Sequence, residues 1–159
     1  MKKLYIIGDI SWDAYKSFSQ EIDAIKRTDK VTIELASDGG DAHAALAFYS
    51  KIRRHKGEVT IIGTGNIASA AVLVLAAGDR RYMTSEAWVM VHEDQAELTG
   101  SVSELERETF QARRLENQWN SLIAKSSAVS ADEWERMHKA TTYLSATQCK
   151  DLDLVHGII

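Results

Sequence analysis

"VTIIGTGNIASAAVLVLAAG", residues 59–78, decides how the rest of the chain is read. Val59–Ile62 is a short β-branched run, the composition of a buried strand. Gly63-Thr64-Gly65-Asn66 reads as a turn, and an uncharged run of small and branched apolar residues then extends to Gly78, a residue suited to ending a helix. Strand, glycine-bearing turn and apolar helix together make one unit of an α/β fold. A single hydroxyl, Ser69, stands where that helix begins.

Working outward, the same alternation recurs. Leu4–Ile10 reads as a strand, and Asp13–Lys26 spaces Tyr15, Phe18, Ile22 and Ile25 at helical intervals. Val31–Leu35 alternates as a second strand and runs into the turn Ser37-Asp38-Gly39-Gly40. Asp41 is placed to cap a helix whose buried face is Ala44, Ala45, Phe48 and Ile52. Beyond residue 78, Trp88–Val91 is a fourth strand with His92 at its exit. Strands alternating with helices of this length predict βαβ units and a largely parallel sheet. Ligand chemistry in such sheets gathers at the carboxyl ends of the strands, where Gly39-Gly40, Ser69 and His92 all fall.

The last third changes character. Ser101-Val102-Ser103-Glu104 is a capping box opening a long helix over 101–126, with Leu105, Ala112, Leu115, Trp119 and Leu122 as its apolar stripe. Ser130-Ala131-Asp132-Glu133 and Ser145-Ala146-Thr147-Gln148 open two more helices, and Leu154–Ile159 reads as a final strand. One domain is expected over 1–159: an αβ head at 1–94, a region around the long helix at 95–128, and C-terminal helices and strand at 129–159.

Bulk properties narrow the function. With 159 residues, a 45% apolar fraction and 26% charged residues, the chain can bury a core without staples. A net charge of −4 leaves no basic stripe for phosphates, so nucleic acid is not an expected partner. The apolar run Ile67–Ala77 is well short of the ~20 residues that span a bilayer, so no membrane partner is expected either. The single cysteine, Cys149, permits no internal disulfide and fits a cytoplasmic location. His43, His55, His138 and His156 have no spacing suited to zinc, so neither metal nor cofactor is expected.

Each member of the Gly-Gly, Ser, His set has a plain explanation alone: a turn, a helix N-cap, a strand-end imidazole. Together they meet the needs of acyl transfer, which are a nucleophile, a neutral imidazole to take its proton, and two N–H groups for the oxyanion. Ser37-Asp38-Gly39-Gly40, Ile67-Ala68-Ser69-Ala70-Ala71 and Val89-Met90-Val91-His92 occur in the order and near the spacing of one family. With Leu73–Gly78 and Tyr143-Leu144-Ser145-Ala146, they make the chain resemble the proteolytic subunit of the Clp protease, ClpP, and its serine peptidase relatives.

That resemblance implies an α/β fold of the ClpP/crotonase type, a repeated βαβ spiral with a largely parallel sheet and a helical handle. It implies Ser69 as nucleophile, His92 as general base, and Gly40 and Ala70 as the oxyanion hole. An extended peptide or unfolded protein substrate would pair along Asp41 and along Gln95, Ala96 and Glu97. The long helix would be the handle of a self-compartmentalised oligomer of stacked rings, heptamer or tetradecamer, and an AAA+ ATPase unfoldase is a partner of such rings. The segment that precedes the first core strand in the family has no counterpart in this sequence, which weighs against that partner.

The family's triad aspartate falls at Thr141, and the prolines expected near the glycine pair and the histidine are Asp38 and Asp94; the chain has no proline at all. Loss of a triad carboxylate costs about four decades in kcat in other serine proteases. A second reading is therefore a weak or inactive ring subunit, and a third is a phage-type head-maturation protease. A crotonase-type acyl-CoA enzyme is disfavoured, because it needs no serine–histidine pair.

Overall fold

Val31 to Leu35 shows why the sheet lies where it does: Val31, Ile33 and Leu35 are all within 1% of complete burial, a strand covered on its inner face by helices. The computed structural model describes residues 2–93, 95 and 97–159. Met1, Asp94 and Ala96 lie outside the described residues, and with Ala96 goes one of the expected peptide-binding positions.

In chain order the elements are β1 (Lys2–Ile7), α1 (Trp12–Asp23), β2 (Val31–Ser37), α2 (Ala42–Arg53), β3 (Val59–Ala68), α3 (Ala70–Ala76) and β4 (Arg80–Met83). There follow β5 (Trp88–Val91), α4 (Val102–Ala124), α5 (Ala131–Lys139), β6 (Thr142–Ser145), α6 (Ala146–Asp151) and β7 (Gly157–Ile158). The strand order is β1-β2-β3-β4-β7, and every pair along that path is parallel. β5 leaves the path, pairing in parallel with the far half of β3 and antiparallel with β6.

This topology corrects the expectation of a crotonase-type repeated spiral. The βαβ repeat runs through β4 and then stops, because β4 passes to β5 with no helix between them and β5 turns back against β6. The expected turn at 63–66 is also strand. β3 continues through it to Ala68, pairing over Thr60–Gly63 with β4 and over Asn66–Ala68 with β5. The glycines there serve the branching of the sheet: a Cβ on Gly63 would meet the Ile67 side chain at 2.9 Å.

Helix α3 is the centre of the core. Every residue from Ala70 to Ala76 is buried to within 2%, against the α2 face of Ala44, Ala45, Phe48 and Ile52 that the spacing predicts. Each fully buried Val or Leu in α3 is worth about 1.5–3 kcal/mol of transfer free energy, which makes this helix a stiff mount. The long α4 has its capping box as expected, with the Ser101 side chain accepting from the Glu104 N–H and Glu104 returning the bond. Its burial is confined to the second half: Trp119, Asn120 and Ile123 are buried, whereas Val102 and Phe110 are 73% and 65% exposed.

The C-terminal segment is stitched to the core by the buried Arg81. Its guanidinium donates to the carbonyls of Gly78, Ser126, Asp153 and Leu154, and its N–H donates to His156 Nδ1 at 3.0 Å. Burial lowers the Arg81 pKa, yet an arginine stays charged at any ordinary pH, so carbonyl dipoles take the role a counter-ion would fill. No helix among the described residues is long and apolar enough to cross a membrane.

Candidate active site

Sheet register brings Ser69 and His92 together. Ala68 pairs with Met90, so Ser69, one residue on, and His92, two residues on, leave the ends of β3 and β5 near one another at the sheet's carboxyl edge. The Ser69 N–H donates to the Met90 carbonyl at 2.8 Å, which locks the β3–α3 junction to the strand carrying the histidine.

Ser69 does not act as the helix N-cap it resembles in sequence. Its side chain makes no cap hydrogen bond, and its backbone sits at φ 52°, ψ −122°. Positive φ is costly for a residue with a Cβ, and held strain of this kind concentrates at functional sites. The conformation turns the hydroxyl away from the helix and towards His92, whose Nε2 lies 2.9 Å from Ser69 Oγ.

The tautomer follows from the other ring nitrogen. His92 Nδ1 is 2.8 Å from the main-chain carbonyl of Glu93, and a carbonyl only accepts, so Nδ1 carries the proton. Nε2 of the neutral ring is then bare and accepts from the serine hydroxyl. This is the arrangement a general base needs.

The glycine pair is adjacent as expected, with Gly39 making the intimate contact. A Cβ on Gly39 (φ +104°) would fall 2.8 Å from Ser69 Cβ and 3.1 Å from the Ala70 nitrogen. Gly39 is pinned by its N–H donating to Ser37 Oγ at 3.0 Å, and Asp38 accepts from Asn66 Nδ2 at 2.7 Å. The turn without proline is therefore held by side-chain bonds. The Ile10 N–H donates to the Gly39 carbonyl and the Asp41 N–H to the Ile10 carbonyl, which leaves the Gly40 N–H facing the opposite side. The Ala70 N–H belongs to the first turn of α3, where intrahelical partners are lacking.

Asp41, expected along the peptide path, is engaged within the fold. Its N–H donates to Ile10, its carbonyl accepts from Ala45, and its carboxylate caps α2 through the Ala44 N–H. Gln95 and Glu97 are exposed and lie in irregular chain.

Thr141 immediately precedes β6, whose Thr142 pairs with Val91, so the register brings it to the level of His92. It has φ 51°, an unfavourable value for a β-branched residue, and its N–H donates to the His138 carbonyl at 3.1 Å. Among the described residues, the partner of His92 Nδ1 is the Glu93 carbonyl. Sequence reasoning could not point to it, because a main-chain acceptor leaves no mark in residue identity.

A pocket opens beside this pair. Ser69 and His92 form one wall, and α4 and α5 supply Glu116, Trp119, Asn120, Glu135, His138 and Lys139. Cys149 is buried and its thiol is pushed up to about 12 by desolvation, which removes it as a rival nucleophile.

The Clp protease family model matches residues 2–159. The chain belongs to the Clp protease family. Among curated Clp protease relatives, "ATP-dependent Clp protease proteolytic subunit 2" of Treponema pallidum is 26% identical, and that of Borreliella burgdorferi 24%; each match covers 99% of this chain and 82% of the relative. A solved structure of a ClpP1 mutant from Listeria monocytogenes superposes with a TM-score of 0.89 at 25% identity, over 99% of this chain and 91% of that one. The fold is thus that of ClpP, with its parallel sheet core and helices, and not the crotonase-type repeat.

Proposed function

We propose that the chain is a serine endopeptidase that cleaves peptide bonds of unfolded proteins or peptides through an acyl-enzyme. The observation that carries this reading is the 2.9 Å approach of Ser69 Oγ to a His92 Nε2 whose ring is held in the accepting tautomer. Ser69 Oγ adds to the scissile carbonyl as its proton passes to Nε2. The N–H groups of Gly40 and Ala70 stabilise the oxyanion. Nε2 then returns the proton to the leaving amine, and water repeats the sequence to release the acyl group. Among the described residues the positive ring formed at each transfer is met at Nδ1 by the Glu93 carbonyl dipole and not by a full charge, so the enzyme is slow for its class.

The apolar surface of the first half of α4, with Val102 and Phe110 exposed, supports self-association through that helix. Among the described residues no carboxylate meets Nδ1, which favours a second reading, a subunit that builds an assembly without cutting. A fluorophosphonate probe separates the two. Labelling of Ser69 that disappears in both Ser69→Ala and His92→Ala supports the peptidase; a folded, unlabelled wild-type chain supports the silent subunit.

A further inference from the structure

The glycine pair reaches Ser69 beside an uneven pairing of β2 and β3. Leu35 faces Gly63 and Ser37 faces Ile67, so two steps along β2 answer four along β3, leaving Thr64, Gly65 and Asn66 to arch between the two pairs. Gly65 has φ +61°, the left-handed value that a sharp arch needs. Asn66 stands at the foot of the arch. Its main chain pairs with Trp88 on β5, the strand that leads into His92. Its side chain reaches back to the exit of β2, where Nδ2 donates to Asp38 Oδ1 at 2.7 Å. A carboxylate only accepts, which fixes the orientation of the amide.

Asp38 is the residue through which that hold acts. Gly39 and Gly40 sit at φ +104° and +143°, values that a backbone without Cβ atoms enters and leaves freely, so their geometry is set by what grips them. On the far side the grip is main chain: the Ile10 N–H donates to the Gly39 carbonyl and the Asp41 N–H to the Ile10 carbonyl, each at 2.8 Å. On the near side it is side chain. Ser37 Oγ accepts from the Gly39 N–H at 3.0 Å, and Asn66 holds Asp38, where a proline ring would have fixed the backbone covalently. Gly39 packs so closely on the Ser69 turn that a Cβ there would lie 2.9 Å from the Ala68 carbonyl oxygen. A shift of Asp38 therefore moves the glycine pair against the nucleophile.

Resting on the peptidase reading above, we infer that Asn66 is a positioning residue for the oxyanion site: its amide anchors Asp38 and so aims the Gly40 N–H at the carbonyl that Ser69 attacks. An exposed polar bond that merely steadied a surface turn would move Tm and leave the rate alone. Positioning appears in kcat, because oxyanion donors act on charge that develops only in the transition state, and a displacement of about 1 Å costs about a hundredfold.

The test is steady-state cleavage of one fluorogenic peptide by the full chain, with Tm and fluorophosphonate labelling of Ser69 followed in parallel. The forms compared are wild type, Asn66→Ala, Asn66→Asp, Asp38→Asn and the double exchange of Asp38→Asn with Asn66→Asp. Asp38→Asn keeps an acceptor oxygen opposite Asn66 and should hold kcat within about twofold. Asn66→Ala should lower kcat by about tenfold or more at unchanged KM. Asn66→Asp sets two carboxylates face to face and should lower kcat at least as far. The double exchange restores a donor opposite an acceptor at the wild-type charge and should recover most of kcat, which no general defect of folding or charge would do. Wild-type kcat in Asn66→Ala, or a double exchange as slow as Asn66→Asp alone, overturns the positioning role, while a wild type that labels and cleaves leaves the peptidase reading standing. A wild type that neither labels nor cleaves overturns both.

Discussion

Replacing Thr141 by aspartate puts a charge on the residue that precedes β6, at the level the sheet register gives to His92. The gain has two separable parts. Thr141 holds φ 51° with a branched Cβ, and aspartate or asparagine tolerates that region better, so Thr141→Asp and Thr141→Asn should each stabilise the fold by about 1 kcal/mol. The second part belongs to aspartate alone. An opposite charge ~4 Å from the imidazolium is worth about 1 kcal/mol in water and about 4 kcal/mol at an effective dielectric of 20. Position 141 is exposed, so the lower part of that range applies, and about 1–2 kcal/mol lowers the barrier by a factor of roughly five to thirty in kcat. The assay is steady-state cleavage of one fluorogenic peptide by wild type, Thr141→Asp and Thr141→Asn, with thermal melting of each. The reasoning predicts a higher Tm in both variants, a higher kcat only with aspartate, and an unchanged KM. Equal kcat in the two variants would refute it, because residue 141 would then not reach the ring.

Other expectations follow from single contacts. Gly39→Ala sets a Cβ 2.8 Å from Ser69 Cβ at φ +104°, so kcat should fall by about a hundredfold or more, with a modest loss of Tm, in the same peptide assay. Arg81→Met abandons four carbonyls and should cost about 3–5 kcal/mol, read by urea unfolding; Arg81→Lys should recover little, because an ammonium lacks the fork. Burial, aided by the Arg81 charge, lowers the His156 pKa, so the unfolded chain binds that proton more readily. Stability from this group is complete above the unfolded pKa of about 6.5 and declines as pH falls below it. His156 is mostly exposed, so the loss is small, about 1–2 °C in Tm between pH 7 and 5. Melts of wild type and His156→Gln across that range check it, and an unchanged slope in the variant would count against it.

Much of the head was legible because its elements are strongly patterned. Ala44, Ala45, Phe48 and Ile52 form the buried face of α2 as their spacing requires, and Trp88–Val91 is a strand with its predicted ends. The approach of Ser69 to His92 was readable because parallel sheets gather their strand ends. What escaped was decided by pairing at a distance. β4 (Arg80-Arg81-Tyr82-Met83) and β6 (Thr142-Tyr143-Leu144-Ser145) lack the apolar run that marks the equally short Trp88–Val91, and the run at 63–66 carries two glycines that read as a turn although β4 and β5 hold it in the sheet. The stripe of α4 was read as continuous, but Ala112 stays exposed and burial begins only near Trp119, where α5 covers the helix. The support at Nδ1 came from a carbonyl, which every residue has.

The placement of β6 has a consequence for synthesis. Ser69 and His92 have both been made by the time residue 92 is added, yet the wall that would grip a substrate comes from residues 116–139, and the strand bracing the histidine's own strand from Thr142–Ser145. A chain still leaving the ribosome therefore carries an alcohol and an imidazole with nothing to hold a peptide against them. On the peptidase reading, competence arrives only after residues 116–145 have been made, so the order of translation itself delays cutting.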